Sequence, residues 1–226
     1  FLLYFRPFNY VRLLFIDFSS AFNAVSPFKL YNELLSMELN EGVCVWVLDF
    51  LLDRSQIVKI GTNYSKPLVL NTGTPQGCIL SPLLYSLFTF DCVTTCDRNL
   101  IVKYADDTTV AGLITNDETS YRHKVQSIVN WCSENNLELN VNKTKEVIVD
   151  FRKSPPSIVP LIINGSEVQR VQYFKFLGIN MSAELKWDFN TDCLVRKAQQ
   201  RPFFPETVED LPCQPKTVIE VLQGSD

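Results

Sequence analysis

Two adjacent carboxylates, Asp106 and Asp107, sit within Lys103-Tyr104-Ala105-Asp106-Asp107-Thr108-Thr109, with apolar runs on both sides. Adjacent like charges repel, so a tight turn keeps them together only where water or a cation offsets the repulsion. Leu100–Val102 and Val110–Ile114 read as two short strands, and a hairpin between them would present both acids at its tip. A third acid, Asp17, closes the apolar run that starts at Val11, where burying a carboxylate is costly unless it is paired or bound to metal. Between these acids lies Thr72-Gly73-Thr74-Pro75-Gln76-Gly77-Cys78-Ile79-Leu80-Ser81-Pro82, a shaped loop whose glycines let a backbone approach a nucleotide or a base pair. Taken singly, each feature has an ordinary reading: a solvated Asp-Asp turn, a helix cap, a loop leading into a helix. Together they are the inventory for two-metal phosphoryl transfer. Two divalent cations held by three carboxylates lower the pKa of an attacking hydroxyl and neutralise charge on the phosphate and the leaving pyrophosphate. Mg²⁺ favours such a sparse site, completed by substrate phosphates and water.

The elements that must position these residues follow from periodicity. Residues 11–18 read as a strand buried on both faces, and Leu30, Leu34 and Leu35 mark a helix that starts near Pro27. A second amphipathic helix spans Glu41 to Leu52. Gln56–Ile60 and Pro67–Leu70 then form a hairpin signal. Ser81 and Pro82 have the types of an N-cap and first helical residue, for a helix running towards Cys92. Glu118 to Asn135 reads as a helix with Val125, Ile128, Val129 and Trp131 inward, and carries His123 as an ordinary surface or packing residue. Leu137–Asn142 alternates before a strand at Glu146–Phe151. Ser154-Pro155-Pro156-Ser157 is the best candidate boundary. Beyond it come a hairpin around Asn164-Gly165, a strand from Phe174 to Ile179 that ends near Met181, and a basic helix at Cys193–Arg201. From Pro202 to Asp226 four prolines break any period and no core face can be drawn.

Composition excludes several classes. With 226 residues, 46% hydrophobic and 20% charged, the chain can bury a sizeable core and does not have the composition of a disordered one. A net charge of −4 is a poor electrostatic footprint for a self-sufficient polyanion binder. Seven cysteines, no Cys-x-x-Cys pair and one histidine argue against a zinc site or a disulfide framework and for a reduced, intracellular chain. No apolar run approaches the roughly 20 residues needed to span a bilayer, so no membrane association is expected.

Phe15-Ile16-Asp17-Phe18-Ser19-Ser20-Ala21-Phe22 resembles motif A of reverse transcriptases, Thr74 to Pro82 resembles motif B, and Tyr104-Ala105-Asp106-Asp107 resembles motif C. Leu137-Glu138-Leu139-Asn140 with Lys143-Thr144-Lys145 is similar to motif D, and Phe176-Leu177-Gly178 to motif E. Five motifs occur in the family's order, and their wording resembles the non-LTR, LINE-like retrotransposon enzymes. The resemblance implies an α+β fold: a polymerase palm with an antiparallel sheet backed by helices, fingers and thumb largely missing. It divides the chain into a divergent N-terminal remnant (1–9), the palm with motifs A to D (10–153), a palm extension with the primer-grip hairpin (154–201) and a divergent tail (202–226).

The same resemblance assigns roles. Asp17, Asp106 and Asp107 would hold two Mg²⁺ ions, for which Mn²⁺ can substitute, with the Phe18 carbonyl near a metal. Phe22 would be the steric gate against a ribose 2′-hydroxyl. Gln76 and Gly77 would contact the incoming nucleotide and templating base, and Tyr104 would lie by the primer end. Lys143 is the candidate proton donor to pyrophosphate, with Lys145 as competitor. Phe176, Leu177 and Gly178 would form the primer grip. The implied partners are an RNA template, a DNA primer and deoxynucleoside triphosphates, in an intracellular ribonucleoprotein of nucleus or cytoplasm. The short stretch before motif A and the proline-broken tail lead us to expect little or no synthesis by this chain alone. The alternative function is a non-catalytic palm that binds protein or nucleic acid. A palm-fold nucleotide cyclase is disfavoured because that class's signature loop is absent.

Overall fold

The apolar run after Asn9 forms β1 (Tyr10–Ile16), and the chain then kinks at Asp17 into the two-residue β2 (Phe18–Ser19) and a 3-10 turn at Ala21–Ala24. In this computed structural model the described residues are 9–94, 98–115, 117–155 and 157–200; of the divergent segments expected at 1–9 and 202–226, all but Asn9 lie outside them. Helix α1 (Pro27–Ser36) starts where proline costs no hydrogen bond, and the Ser26 hydroxyl accepts from the Lys29 N–H. Helix α2 (Glu41–Leu51) is capped by the Asn40 side chain. The next strands are β3 (Arg54–Gln56), β4 (Lys59–Ile60), β5 (Asn63–Tyr64) and β6 (Leu68–Leu70), followed by helix α3 (Leu80–Phe88). Strands β7 (Asn99–Tyr104) and β8 (Asp107–Ile114) form the hairpin of the two acids, and α4 (Thr119–Glu134) follows. The remainder is β9 (Glu138–Leu139), β10 (Lys145–Val149), β11 (Ile162–Ile163), β12 (Ser166–Glu167), β13 (Gln169–Arg170), β14 (Tyr173–Phe176), β15 (Ile179–Ser182) and α5 (Asp188–Gln200).

The main sheet has the order β13-β10-β1-β8-β7. It is antiparallel except at its edge, where β13 runs parallel to β10. Because side chains alternate along a strand, β1 feeds two cores. Leu14 and Ile16 join Val110 and the apolar faces of α1, α2, α3 and α4 on one side. Val11 and Phe15 join Val147 and Val149 on the other, covered by Phe174, Phe176 and Met181 from the β14–β15 hairpin and by Leu185 just after it. The Phe15 and Phe174 rings stack at 4.1 Å.

Several expectations change in detail. Ser81 is not a helix cap: α3 begins one residue earlier, and the buried Ser81 hydroxyl donates to the Pro75 carbonyl, tying the preceding loop down. The helix also ends at Phe88, short of Cys92. Gln56–Ile60 is not one strand, because β3 pairs with β6 while β4 and β5 form a smaller hairpin inside the loop. Phe174–Ile179 is likewise two strands of a hairpin that turns at Leu177-Gly178, both in the left-handed region (φ 47° and 84°). Trp131 is half-buried and donates its indole N–H to Asp91; Tyr121 and Cys132 fill the inward positions beside Val125 and Ile128.

A buried ionic cluster on the helix side is absent from the sequence reading. Arg12 is fully buried and makes a two-pronged contact to Glu146, also fully buried (Nε to Oε1 2.8 Å, Nη2 to Oε2 2.9 Å), and a further bond to Glu118 at 2.7 Å. Burial alone would lower the Arg12 pKa, but the Glu146 carboxylate overcomes it and the net shift is upward. Arg170 adds a second cation to Glu146 at 3.1 Å and donates to the carbonyls of Ile158 and Val159. Arg122 also donates to Val159 and to Pro160. These carbonyls belong to the irregular segment after the Ser-Pro-Pro stretch, which returns Leu161, Ile163 and Val168 to the main core. The Tyr121 ring lies 5.1 Å from Arg12 Cζ, in a place left vacant by Gly112, where a Cβ would stand 2.2 Å from Tyr121 Cδ2.

Two stability predictions follow from this geometry. Glu146→Ala leaves Arg12 buried and stripped of its main partner and costs about 3–5 kcal/mol; Gly112→Ala overpacks Tyr121 and costs about 1–3 kcal/mol. Urea denaturation of the two variants against the parent chain measures both, and an unchanged midpoint for either removes that element of the account.

Candidate active site

Asp17 stands where β1 leaves the main sheet. Ile16 pairs with Thr108 of β8, and Phe18 pairs with Leu139 of β9, so Asp17 lies between two ladders. Its main chain is held instead by the turn after β9: the Asn140 N–H donates to the Asp17 carbonyl at 2.9 Å, and the Asp17 N–H donates to Thr144 Oγ1 at 3.3 Å. One register position beyond the Ile16–Thr108 pair sets Asp17 beside Asp107. Alternation along β8 puts Asp107 on the side of Thr109 and its partner Phe15, the side covered by the β14–β15 hairpin.

The β7–β8 hairpin closes with Tyr104 paired to Asp107, leaving Ala105 and Asp106 as the turn. Asp106 is thus at the tip, whereas Asp107 is the first residue of β8, a finer division than the shared tip expected from sequence. Ala105 takes a left-handed φ of 52°, a conformation that costs a non-glycine residue roughly 1–2 kcal/mol. The Asp107 carboxyl titrates above its ordinary range: partial burial is the leading cause, followed by repulsion from Asp106 and from Asp17. The three carboxylates therefore share one electrostatic neighbourhood. No ion pair to any of them is found among the described residues, so no basic side chain discharges the repulsion. Lys103, the nearest cation in sequence, turns away to donate to the carbonyls of Thr89 and Cys92 just past α3.

The loop before α3 is fastened to the turn that carries Phe22. Gly73 donates to the Val25 carbonyl at 2.7 Å and Thr74 to the Phe22 carbonyl at 2.9 Å. Only glycine fits at 73: φ is 75°, and a Cβ would lie 2.7 Å from Asn23 Cα. Arg54 braces the same loop from outside through the carbonyls of Thr72 and Gly73. Gln76 and Gly77 follow in the exposed part of the loop, Gly77 at φ 82°. The half-buried Phe22 ring rests on Tyr85 of α3 at 5.1 Å. Burial raises the Tyr85 pKa, and the Asp106 charge adds to it, which places α3 within electrostatic reach of the turn. Loop, Phe22, α3 and the carboxylates thus form one connected set.

Lys143 and Lys145 diverge. Lys145 Nζ is engaged by Asn142 O and Gln169 Oε1, whereas Lys143 is exposed in the turn that holds Asp17. Phe176 packs on Phe15 at 5.4 Å, and Leu177 and Gly178 form the tip of their hairpin. The acids' face is closed by this hairpin on the β10 side and open on the β7 side, where Leu100, Val102 and Tyr104 are exposed. The sequence offered Asn140 and Thr144 only as members of a motif and Gly73 only as one of the loop glycines, and it did not single out Arg54 or Tyr85 for the site; proximity to the motif residues was the only signal for them.

Among the described residues, no group of three or more His, Cys, Asp or Glu side chains stands close enough to enclose a metal ion unaided. The donor set nevertheless fits a hard divalent cation: carboxylate oxygens, mutually repelling and unpaired. A cation that is completed by substrate phosphates and water needs no closed protein cage. No helix of the described residues is long and apolar enough to cross a membrane.

The family described as reverse transcriptase (RNA-dependent DNA polymerase) matches residues 6–181. The chain belongs to the reverse transcriptase family. Within it the chain is of the non-LTR, LINE-like kind: it is 27% identical over 204 residues to the probable RNA-directed DNA polymerase from transposon BS of Drosophila melanogaster, covering 85% of this chain and 22% of that protein. It is 30% identical over 149 residues to the RNA-directed DNA polymerase from mobile element jockey of the same organism, covering 62% and 16%. The chain therefore spans about a fifth of the length of these relatives. Among solved structures, telomerase from Candida tropicalis in complex with a telomeric RNA fragment superposes with a TM-score of 0.57 at 13% identity, covering 82% of this chain and 32% of that one. A telomerase from Candida albicans gives 0.53 at 16% identity, over 81% and 32%. At such identities these likenesses establish the palm fold of a reverse transcriptase.

The raised Asp107 pKa has a stability consequence. The folded state holds this proton more tightly than the unfolded one, so folding loses stability as pH rises through the carboxylate range. Asp107→Asn is expected to be more stable than the parent chain near neutral pH, with the gain vanishing below that range. Urea melts at the two pH values check it; equal stability at neutral pH removes the proposed repulsion.

Proposed function

We propose that this chain is the palm of an RNA-directed DNA polymerase, the part that carries template-directed attack of a primer 3′-hydroxyl on a deoxynucleoside triphosphate with release of pyrophosphate. The observation that carries the reading is the β1–β8 register, which sets the Asp17 position beside Asp107 with Asp106 in the adjoining turn. Asp17, Asp106 and Asp107 would hold two Mg²⁺ ions, with Mn²⁺ able to substitute and the Phe18 carbonyl nearby. When bound, the ions supply Lewis acidity and charge neutralisation.

The other roles belong to the chain's own side chains. The Phe22 ring, backed by Tyr85, blocks a 2′-hydroxyl and selects deoxynucleotides. Gln76 and the backbone at Gly77 meet the incoming nucleotide and templating base. Tyr104 shares the Asp107 face and meets the primer end, while Phe176, Leu177 and Gly178 support the primer from the hairpin that covers that face. Lys143 donates the proton to pyrophosphate; the engagement of Lys145 by Gln169 favours this choice between the two lysines. An RNA template and a DNA primer are the implied partners, inside the cell and as a ribonucleoprotein. Positioning of template and triphosphate dominates such chemistry, and little or no synthesis by this chain alone is expected.

Primer extension on poly-rA/oligo-dT with Mg²⁺ or Mn²⁺, alongside equilibrium binding of dTTP, tests the reading. Asp106→Asn abolishes whatever synthesis the chain supports and weakens metal-dependent dTTP binding. Phe22→Val improves binding of UTP relative to dTTP by about tenfold, as expected for one pocket contact. Synthesis that survives Asp106→Asn, or dTTP binding indifferent to it, overturns the assignment.

A further inference from the structure

Two hydrogen bonds tie Asp17 to one short turn, and two more close that turn on itself. Asn140 N–H donates to the Asp17 carbonyl at 2.9 Å, and Asp17 N–H donates to Thr144 Oγ1 at 3.3 Å. The Thr144 hydroxyl donates in turn to the Asn140 carbonyl at 2.9 Å, which the Thr144 N–H also reaches at 2.9 Å. A threonine hydroxyl has one proton to give and lone pairs to offer; here the proton goes to the turn and a lone pair to Asp17. Thr144 is fully buried, so neither bond can be handed to solvent. Its branched side chain is stiff about χ1, so the turn's backbone fixes where the hydroxyl lies.

We propose that Thr144 is a positioning residue for Asp17: its hydroxyl fixes the Asp17 backbone at the kink between β1 and β2, and with it the direction from which the carboxylate meets a divalent cation. This rests on the reading of Asp17 as a metal ligand. The same turn carries Lys143 one residue away, so the acid that holds metal and the lysine that serves pyrophosphate are set by one rigid unit.

Mn²⁺ titrated alone into the full chain, with free ion read by electron paramagnetic resonance and folding followed by thermal unfolding, tests the proposal. Thr144→Val keeps the shape and removes the hydroxyl; it is expected to weaken Mn²⁺ binding about tenfold, as outer-shell changes do. Thr144→Ser restores the hydroxyl and is expected to restore parent affinity. Asp17→Asn reports on the underlying reading: unchanged affinity there overturns Asp17 as a ligand. Weakened binding in Asp17→Asn with parent affinity in Thr144→Val overturns the role of Thr144 and leaves the ligand reading standing. Equal losses in Thr144→Ser and Thr144→Val also overturn it, since shape and not the hydroxyl would then matter. Should Thr144→Val fail to fold, Thr144→Ala is read by the same criterion.

Discussion

The Arg12–Glu146 pair holds the centre of this fold together. Taking two charges out of water costs several kcal/mol per ion even after relaxation, and attraction offsets this only when the remaining hydrogen-bonding capacity is also filled. Here it is filled: Arg12 also serves Glu118, and Glu146 also accepts from Arg170 and the Tyr121 hydroxyl. The pair joins β1 to β10, and through Arg170 and Arg122 it captures the carbonyls of residues 158–160. The segment after the Ser-Pro-Pro stretch is therefore fixed to the sheet by cations on its backbone as well as by apolar contact. Such a network gives a specific register, because a shift of one residue would turn Arg12 to the opposite face.

Register is what the site depends on. The positions of Asp17 and Asp107 follow from β1 lying beside β8 with Ile16 opposite Thr108. Around that juxtaposition the protein uses main-chain bonds more than side-chain ones. The turn after β9 grips Asp17, the loop before α3 bonds to the carbonyls of Phe22 and Val25, and the hydroxyl of Ser81 fastens the same loop at Pro75. The carboxylates themselves are left without cationic partners in the described residues, which preserves their charge for a ligand.

How much could be read beforehand follows from how far each signal reaches along the chain. The β1 run, the Asp-Asp hairpin, α1, α2 and α4 have local causes, in alternation, helical spacing and caps, and were legible. Arg12 sits inside a run read as nearly continuously apolar, and its partner lies 134 residues away, so nothing near it announces a buried guanidinium. The turns at Ala105 and Leu177 were legible only in part, because both residues take a left-handed φ that their types disfavour and a two-residue hairpin turn requires. Ser81 misled because serine followed by proline favours a helix start, while a carbonyl contact to Pro75 outside the helix captured the hydroxyl. The three acids and the Gln-Gly loop were legible as a set; the residues that hold them were not, since their part is played by backbone groups common to every residue.

The central place of β1 also bears on how the chain acquires its structure. The first described strand cannot complete its ladders until β8 and β10 exist, more than ninety residues later in the chain. Pairings at such separation require closure of long loops before any contact rewards them, which slows folding relative to locally wired helical proteins. On a ribosome, Leu14, Phe15 and Ile16 emerge before β8 and β10 and wait for those partners to be made. The architecture that sets Asp17 beside the Asp-Asp hairpin is thus also one that leaves β1 unpaired while about ninety intervening residues are made, and unpaired strands invite association with other chains.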